Sequence, residues 1–293
     1  MYTGRSNGAY ATVKNLNKIT MKYIFPILFS LLFFPLFGQP ISVSDNEKRI
    51  AALFDSLNVS VSDEKKKELH DKITKLFTEE LKNPASFSNP YSSLNFVGKI
   101  FSDDGKVKIY TWNYPLADKT HDYGGFIQYK LKNKTIKTIP LKIKNEAYLP
   151  LNNKQISSND WYGALYYKII PVKYKKENYY LLLGWAGNNA ASEYKLIEIL
   201  NFDEKGNATF GKPVLKQKNK LLQRFVLEYS AEAKISLTYD NQRKKIIFDH
   251  LVPPEAVYTN VYSHYGPDFT YDAFSLEKGK WDFEENVDVK NKE

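Results

Sequence analysis

"YKLIEILNFDEKGNATFGKPVL", residues 194–215, reads as a β-hairpin. Leu196, Ile197, Ile199 and Leu200 lead in, Glu204-Lys205-Gly206-Asn207 supplies a tight polar turn, and Phe210 and Val214 return. Working outward, short runs rich in β-branched and aromatic residues recur on both sides. Before it lie "KVKIYTWNY" (106–114), "GGFIQYKL" (124–131), "TIKTIPLK" (135–142), "ALYYKIIPVKY" (164–174) and "NYYLLLGW" (178–185); after it lie "RFVLEYS" (224–230), "KISLTYD" (234–240) and "KIIFDHL" (245–251). Turn signals separate many of them: Asp103-Asp104-Gly105, Gly124-Gly125, Glu177-Asn178, Asp240-Asn241. Strands at this spacing with no helices among them predict a mainly β fold, an antiparallel sandwich, barrel or propeller-like sheet. No clean internal repeat marks out propeller blades.

Nearer the N-terminus the period changes, and residues 44–82 predict two helices. Ser44 with Glu47 three residues on is a capping-box pattern, followed by Ile50, Leu53, Phe54 and Leu57 on one face. Asn58 to Ser62 is a break. Ser62 or Asp63 then caps a second helix with Leu69, Ile73, Leu76, Phe77 and Leu81 on one face, and Asn83-Pro84 stops it. His70 falls on the helix surface. The pair reads as an N-terminal helical hairpin packed on the β domain, or as a docking arm for a partner.

"MKYIFPILFSLLFFPLFGQP", residues 21–40, stands apart. Tyr23 to Phe37 is apolar except for Ser30, is shorter than the roughly 20 residues a spanning helix needs, and is interrupted by Pro26 and Pro35. Lys22 precedes it and Gly38-Gln39 follows, the pattern of a cleaved secretory signal; a retained anchor is the rival reading. The expected organisation is a disordered, over-extended start at 1–20, signal peptide at 21–39, helical segment at 40–84 and β domain at 85–293. Export places the protein in the periplasm, at the outer-membrane surface or outside the cell, with no transmembrane span after cleavage.

Charge and cysteine content narrow the function classes. Residues 1–39 hold four basic residues and no acidic ones, so removing them leaves 38 basic against 33 acidic residues, a net charge of +5. The lysines are scattered as KYKK, KQKNK and RKK, which reads as a solvated surface and not as a nucleic-acid stripe. With no cysteine, disulfides, thiolate chemistry and lipidation at the cut site are excluded. The 22 Tyr, 18 Phe and 4 Trp supply the core that must hold the fold instead. Asn-x-Ser/Thr at Asn58, Asn133 and Asn207 reads as chance, because the short signal and missing cysteines look bacterial.

Three regions gather polar functional groups. Residues 249–272 carry Asp249, His250, Glu255, His264, Asp268 and Asp272 among tyrosines. Asp249-His250 at a strand end suits acid–base chemistry, since an imidazole titrates near neutral pH and a carboxylate orients it. Asp268 and Asp272 in a Gly-Pro-Asp loop offer oxygens to calcium, but the calcium-loop pattern is absent and no metal site is expected. Residues 181–192, "LLLGWAGNNAAS", place Trp185 to stack on a sugar ring and Asn188 to bond hydroxyls, around a tight connection made by Gly184, Gly187 and Asn188. His121-Asp122, in a loop before a strand, is the third. In each region the bland alternative is a residue that caps, packs or fills. No nucleophile elbow, Walker loop, H-E-x-x-H or dinucleotide motif occurs, and no cofactor is expected.

The segments at 179–202, 225–253 and "YGPDFTYDAF" (265–274) resemble a group of secreted proteins of Bacteroidota-type bacteria with no assigned activity. The resemblance extends over about residues 95–285. It implies export and carries no catalytic residue with it. The expected function is a non-enzymatic envelope or periplasmic module that binds a glycan or an envelope partner and not nucleic acid. The alternative is an envelope hydrolase acting on glycan or peptide at 249–272.

Overall fold

Tyr179 through Leu183 are buried without alternation, so this strand is covered on both faces. That observation organises the fold. The computed structural model describes residues 44–143, 154–175 and 177–289. The expected signal peptide and the expected start at Met21 lie outside the described residues.

Two helices come first, α1 (Asp45–Val59) and α2 (Asp63–Glu80). Ser44 Oγ accepts from Glu47 N at 3.0 Å and Ser62 Oγ from Lys65 N at 3.3 Å, so both expected N-caps form. The reciprocal half of the capping box does not. The Glu47 carboxylate, 1% exposed, instead accepts from Ser93 N at 3.1 Å, from Ser93 Oγ and from Asn89 Nδ2. It ties α1 to the loop that leads into the sheets.

The first sheet runs in order β1 (Gly98–Phe101), β2 (Val107–Pro115), β3 (His121–Lys130), β4 (Ile136–Leu141). The central sheet runs β5 (Ile156–Ser157), β9 (Ala208–Phe210), β8 (Ser192–Phe202), β7 (Glu177–Gly187), β6 (Leu165–Tyr174). The outer sheet contains β10 (Leu215–Gln217) and β11 (Lys220–Leu222), while β12 (Arg224–Ser230) joins β8 in the central one. The outer order is completed by β13 (Leu237–Asp240), β14 (Lys245–Val252), β15 (Gly266–Glu277) and β16 (Lys280–Glu284), arranged β11-β10-β16-β15-β14-β13. The pairing is antiparallel in all three sheets except between β10 and β16. The fold is mainly β, with stacked sheets, no closed barrel and the two helices ahead of the sheets.

Three apolar clusters bind the layers. Ile109 and Ile127 of the first sheet meet Tyr166, Leu182 and Leu196 of the central one. Leu181, Leu183 and Ile199, on the opposite face, meet Phe248, Phe274 and Trp281 of the outer sheet. Ile50, Phe54, Ile73 and Phe77 of the helices cover Tyr110, Trp112 and Phe126 on the back of the first sheet. The helical stripe is therefore buried within the chain. Gly124-Gly125, expected as a turn, lies inside β3: a Cβ on Gly124 would fall 2.2 Å from the Trp112 ring, so glycine makes room for the indole. Gly266-Pro267-Asp268, expected as a loop, belongs to strand β15, which has a bulge opposite His250.

β8 changes partners along its outer edge. Residues 192–198 pair with β12 and residues 200–202 with β9. At the fork sits a buried ion pair, Arg224 Nε to Glu198 Oε2 at 3.0 Å, with Tyr162 OH also donating to Glu198. Glu198 Oε1 accepts from Ile199 N at 2.9 Å.

Phe77 is fully buried and meets Tyr91, Tyr110, Trp112 and Phe126 at ring-centroid distances of 5.2–5.8 Å. Phe77→Ala is expected to cost about 3–5 kcal/mol in urea unfolding, whereas Val61→Ala at the exposed link should cost under about 0.5 kcal/mol. Equal, small losses would mean that the helices are an appendage. Glu198→Ala should likewise cost about 3–5 kcal/mol, because it strands Arg224 in the interior.

Candidate functional site

Neighbouring residues of a strand point to opposite faces. This decides both Asp–His pairs seen in the sequence. His121 and Asp122 are strand residues of β3, paired with Pro115 and Tyr114, and not a loop. Asp122 accepts from Tyr114 OH at 2.6 Å. His121 packs elsewhere, edge-on to Trp185 at 5.5 Å and under Gly187. Its Nδ1 is buried without a hydrogen-bond partner among the described residues. The same geometry separates Asp249 from His250 on β14. Asp249 accepts from Ser236 N at 2.6 Å and caps that turn, while His250 Nδ1 lies 2.8 Å from Asp272 Oδ2 on β15.

His250 and Asp272 are thus the pair the fold assembles. Asp272 is 5% exposed, and its other oxygen accepts from Asn286 N at 3.2 Å. The bond to Asp272 raises the pKa of His250 above the ordinary histidine value. Asp268 is occupied at the bulge, accepting from Thr270 N at 3.0 Å and Thr270 Oγ1 at 2.7 Å. His264 stacks on Tyr258 at 4.3 Å. Among the described residues, no three His, Asp or Glu side chains gather as a metal site.

At 181–192 the expected tight connection does not fall at Gly184 and Gly187. Gly184 and Gly187 are extended residues of β7, kept small by the Tyr166 and His121 rings. Trp185 Nε1 donates to Glu193 at 2.8 Å, and Asn188 Nδ2 donates to Ser192 Oγ at 2.8 Å. The connection is made by residues 188–191. His70, expected on the helix surface, lies on the side of α2 that faces β2, where Trp112 Nε1 points to its Nδ1 at 3.3 Å. Burial lowers its pKa against the pull of Asp122 and Asp71. His121 is lowered in the same way, against Glu193.

A groove of about 760 Å³ lies where the β3–β4, β6–β7 and β8–β9 turns converge. Tyr129 and Phe202 stack in its wall at 3.9 Å with planes 5° apart, and Tyr180 meets Phe202 edge-on at 5.8 Å. Tyr180 OH donates to Asp104 at 3.0 Å. Lys137 Nζ ties β4 to the β8–β9 turn, donating to Lys205 O at 2.9 Å and Asn207 Oδ1 at 2.7 Å. Exposed Lys130, Lys132, Lys134 and Lys173 rim the opening, with Asn178 and Asn201. Sequence reading missed this groove because its parts come from distant segments. The only sequence signal is that three turns each carry an aromatic residue and a lysine close by.

The histidines supply a check. In an NMR titration, His250 should lose its proton above about 6.5, and His70 and His121 below it. The stability His250 contributes is full below about 6.5 and fades as pH rises through its raised folded value. For His70 and His121 it is full above about 6.5 and fades as pH falls through their depressed values. Asp272→Asn should return His250 toward the ordinary range; an unchanged His250 titration would rule out Asp272 as its partner. Comparison with models of protein families, with curated proteins and with solved structures finds no match.

Proposed function

We propose that this protein is an exported, non-enzymatic binding module of the cell envelope whose ligand is a glycan, held in the groove at the β3–β4, β6–β7 and β8–β9 turns. The observation that carries the reading is the composition of that groove. A stacked aromatic pair offers apolar ring surface, and Asn178, Asn201 and the lysines surround it with hydrogen-bonding groups. Sugars present one apolar face and a rim of hydroxyls, which is what such a wall matches. Export rests on the signal-like stretch at 21–39 and remains part of the proposal.

The hydrolase reading has less support. His250 and Asp272 form a pair, and the charges of Asp268 and Glu285 also act on the imidazole, but Asp268 is held by Thr270 and Asp249 by Ser236. General acid–base hydrolysis of a glycoside uses two facing carboxyl groups.

The test is calorimetric titration of residues 40–293 with a panel of neutral and acidic envelope and plant oligosaccharides. At least one should bind. Tyr129→Ala and Asn178→Ala should each weaken it about tenfold or more, the equivalent of about 1.4 kcal/mol. Thermal melts alongside keep loss of binding apart from loss of fold. Release of reducing ends that disappears in His250→Gln would replace the binding reading with the hydrolase one.

A further inference from the structure

A second cavity, of about 570 Å³, lies beside the groove. It is lined by Phe87, Phe101, Lys99 and Lys108, and it shares Gly105 and Lys130 with the first. Phe101 sits on edge strand β1 with 51% of its surface exposed, and its ring meets Phe87 edge-on at 5.4 Å. Each cavity therefore has aromatic surface and lysines, and the two meet at Lys130.

The lysines of the second cavity are set by the fold. Lys99 Nζ donates to Tyr91 O at 2.9 Å and Leu94 O at 2.7 Å, and Lys108 Nζ donates to Asn89 O. Their partners are carbonyls, which position the ammonium groups without cancelling their charge. Lys108 is 7% exposed, and burial, with Lys99 adding to it, draws its pKa down to about 8. In the first cavity, two of the three acidic residues are engaged by the protein. Asp104 accepts from Ser102 Oγ and Tyr180 OH, and Asp203 from Asn207 N and Nδ2.

We propose that the two cavities form one binding site for a linear, negatively charged polysaccharide, which crosses from one to the other over Lys130. This rests on the glycan reading above and names its ligand class. The charged group is a carboxylate or a sulfate ester, since a lysine ammonium attracts either as a point charge. Two features favour a polysaccharide over a single-stranded nucleic acid. Among the described residues, those lining the two cavities include no arginine, the side chain suited to bidentate phosphate recognition. Glu204 lies exposed among the lysines, where a strand charged about every 3.4 Å would meet it, while a sugar hydroxyl donates to it.

The experiment is fluorescence anisotropy on residues 40–293 with four probes of matched length. These are an oligogalacturonate, a sulfated dextran oligosaccharide, a neutral dextran oligosaccharide and an oligodeoxythymidylate. Short and long forms of each are compared in wild type, in Lys132→Gln/Lys134→Gln, in Phe101→Ala, and in Lys67→Gln/Lys72→Gln on the far helix as control. All four of these side chains and Phe101 are exposed, so the variants should melt as wild type does. One acidic glycan should bind at least about tenfold tighter than the neutral one and weaken with salt. Its long form should bind tighter than its short form, and each groove variant should lose about tenfold while the control keeps its affinity. Which acidic probe wins identifies the charged group.

Other results overturn the proposal in distinguishable ways. A neutral glycan that binds as well as the acidic ones, and is lost in Tyr129→Ala, removes the charge inference and leaves the glycan reading standing. Phe101→Ala with unchanged affinity for the long probe removes the second cavity. Preference for the oligodeoxythymidylate, or no binding of any glycan, removes both.

Discussion

A central sheet that is apolar on both faces must be covered twice, and the rest of the fold follows from that. Leu181, Leu182 and Leu183 are all fully buried. Alternation sends Leu182 toward the first sheet and its two neighbours toward the outer sheet. In many proteins helices cover such a sheet; here two further sheets of the same chain do it. The first sheet inherits the same demand, because Tyr110, Trp112 and Phe126 leave its back apolar. The helical hairpin meets it. The outward residues of the helices are mostly charged, which stops the stacking on that side.

The same sheet pays a local cost at its fork. β8 has to release one edge partner and take another between Glu198 and Leu200, and a backbone donor there would otherwise be buried unpaired. Glu198 accepts from Ile199 N with one oxygen and from Arg224 with the other. Gly211, at φ 93°, carries the chain away from β9, where a side chain would meet Lys154 O. Burial raises the pKa of Glu198 while Arg224 opposes it. A lone buried carboxylate would be costly, so the pair is best understood as the means by which one long strand serves two neighbours.

The helices and most strands could be read from the sequence because each depends on local periodicity. Ile50, Phe54, Ile73 and Phe77 repeat at helical spacing and end up buried together. β15 could not be read because Gly266, Pro267 and Asp268 signal a turn, and the strand absorbs them in a bulge where Phe269 takes φ 68°. The site residues were harder for a related reason. Adjacent His and Asp suggest a pair, yet strand alternation parts them, and His250 finds its carboxylate 22 residues away at Asp272. Gly184 and Gly187 signalled a tight connection, but they are glycine because the Tyr166 and His121 rings press on the backbone.

The lysines show how a scattered composition becomes a local field. Lys130, Lys132 and Lys134 surround one turn, Lys173 stands on another, and Lys99 and Lys108 come from the first two strands of the first sheet. None of these runs forms a periodic basic face by itself, so each reads as solvated surface. Lys130, Lys132, Lys134 and Lys173 converge where the turns meet, and there Tyr129, Tyr180 and Phe202 line the groove. Tyr129 and Phe202 pack against the core on one side and line the groove on the other. Their packing role means that a lost aromatic affects stability together with the shape of the groove. The exposed lysines carry no such burden, so charge is the property by which the proposed binding can be separated from the fold's stability.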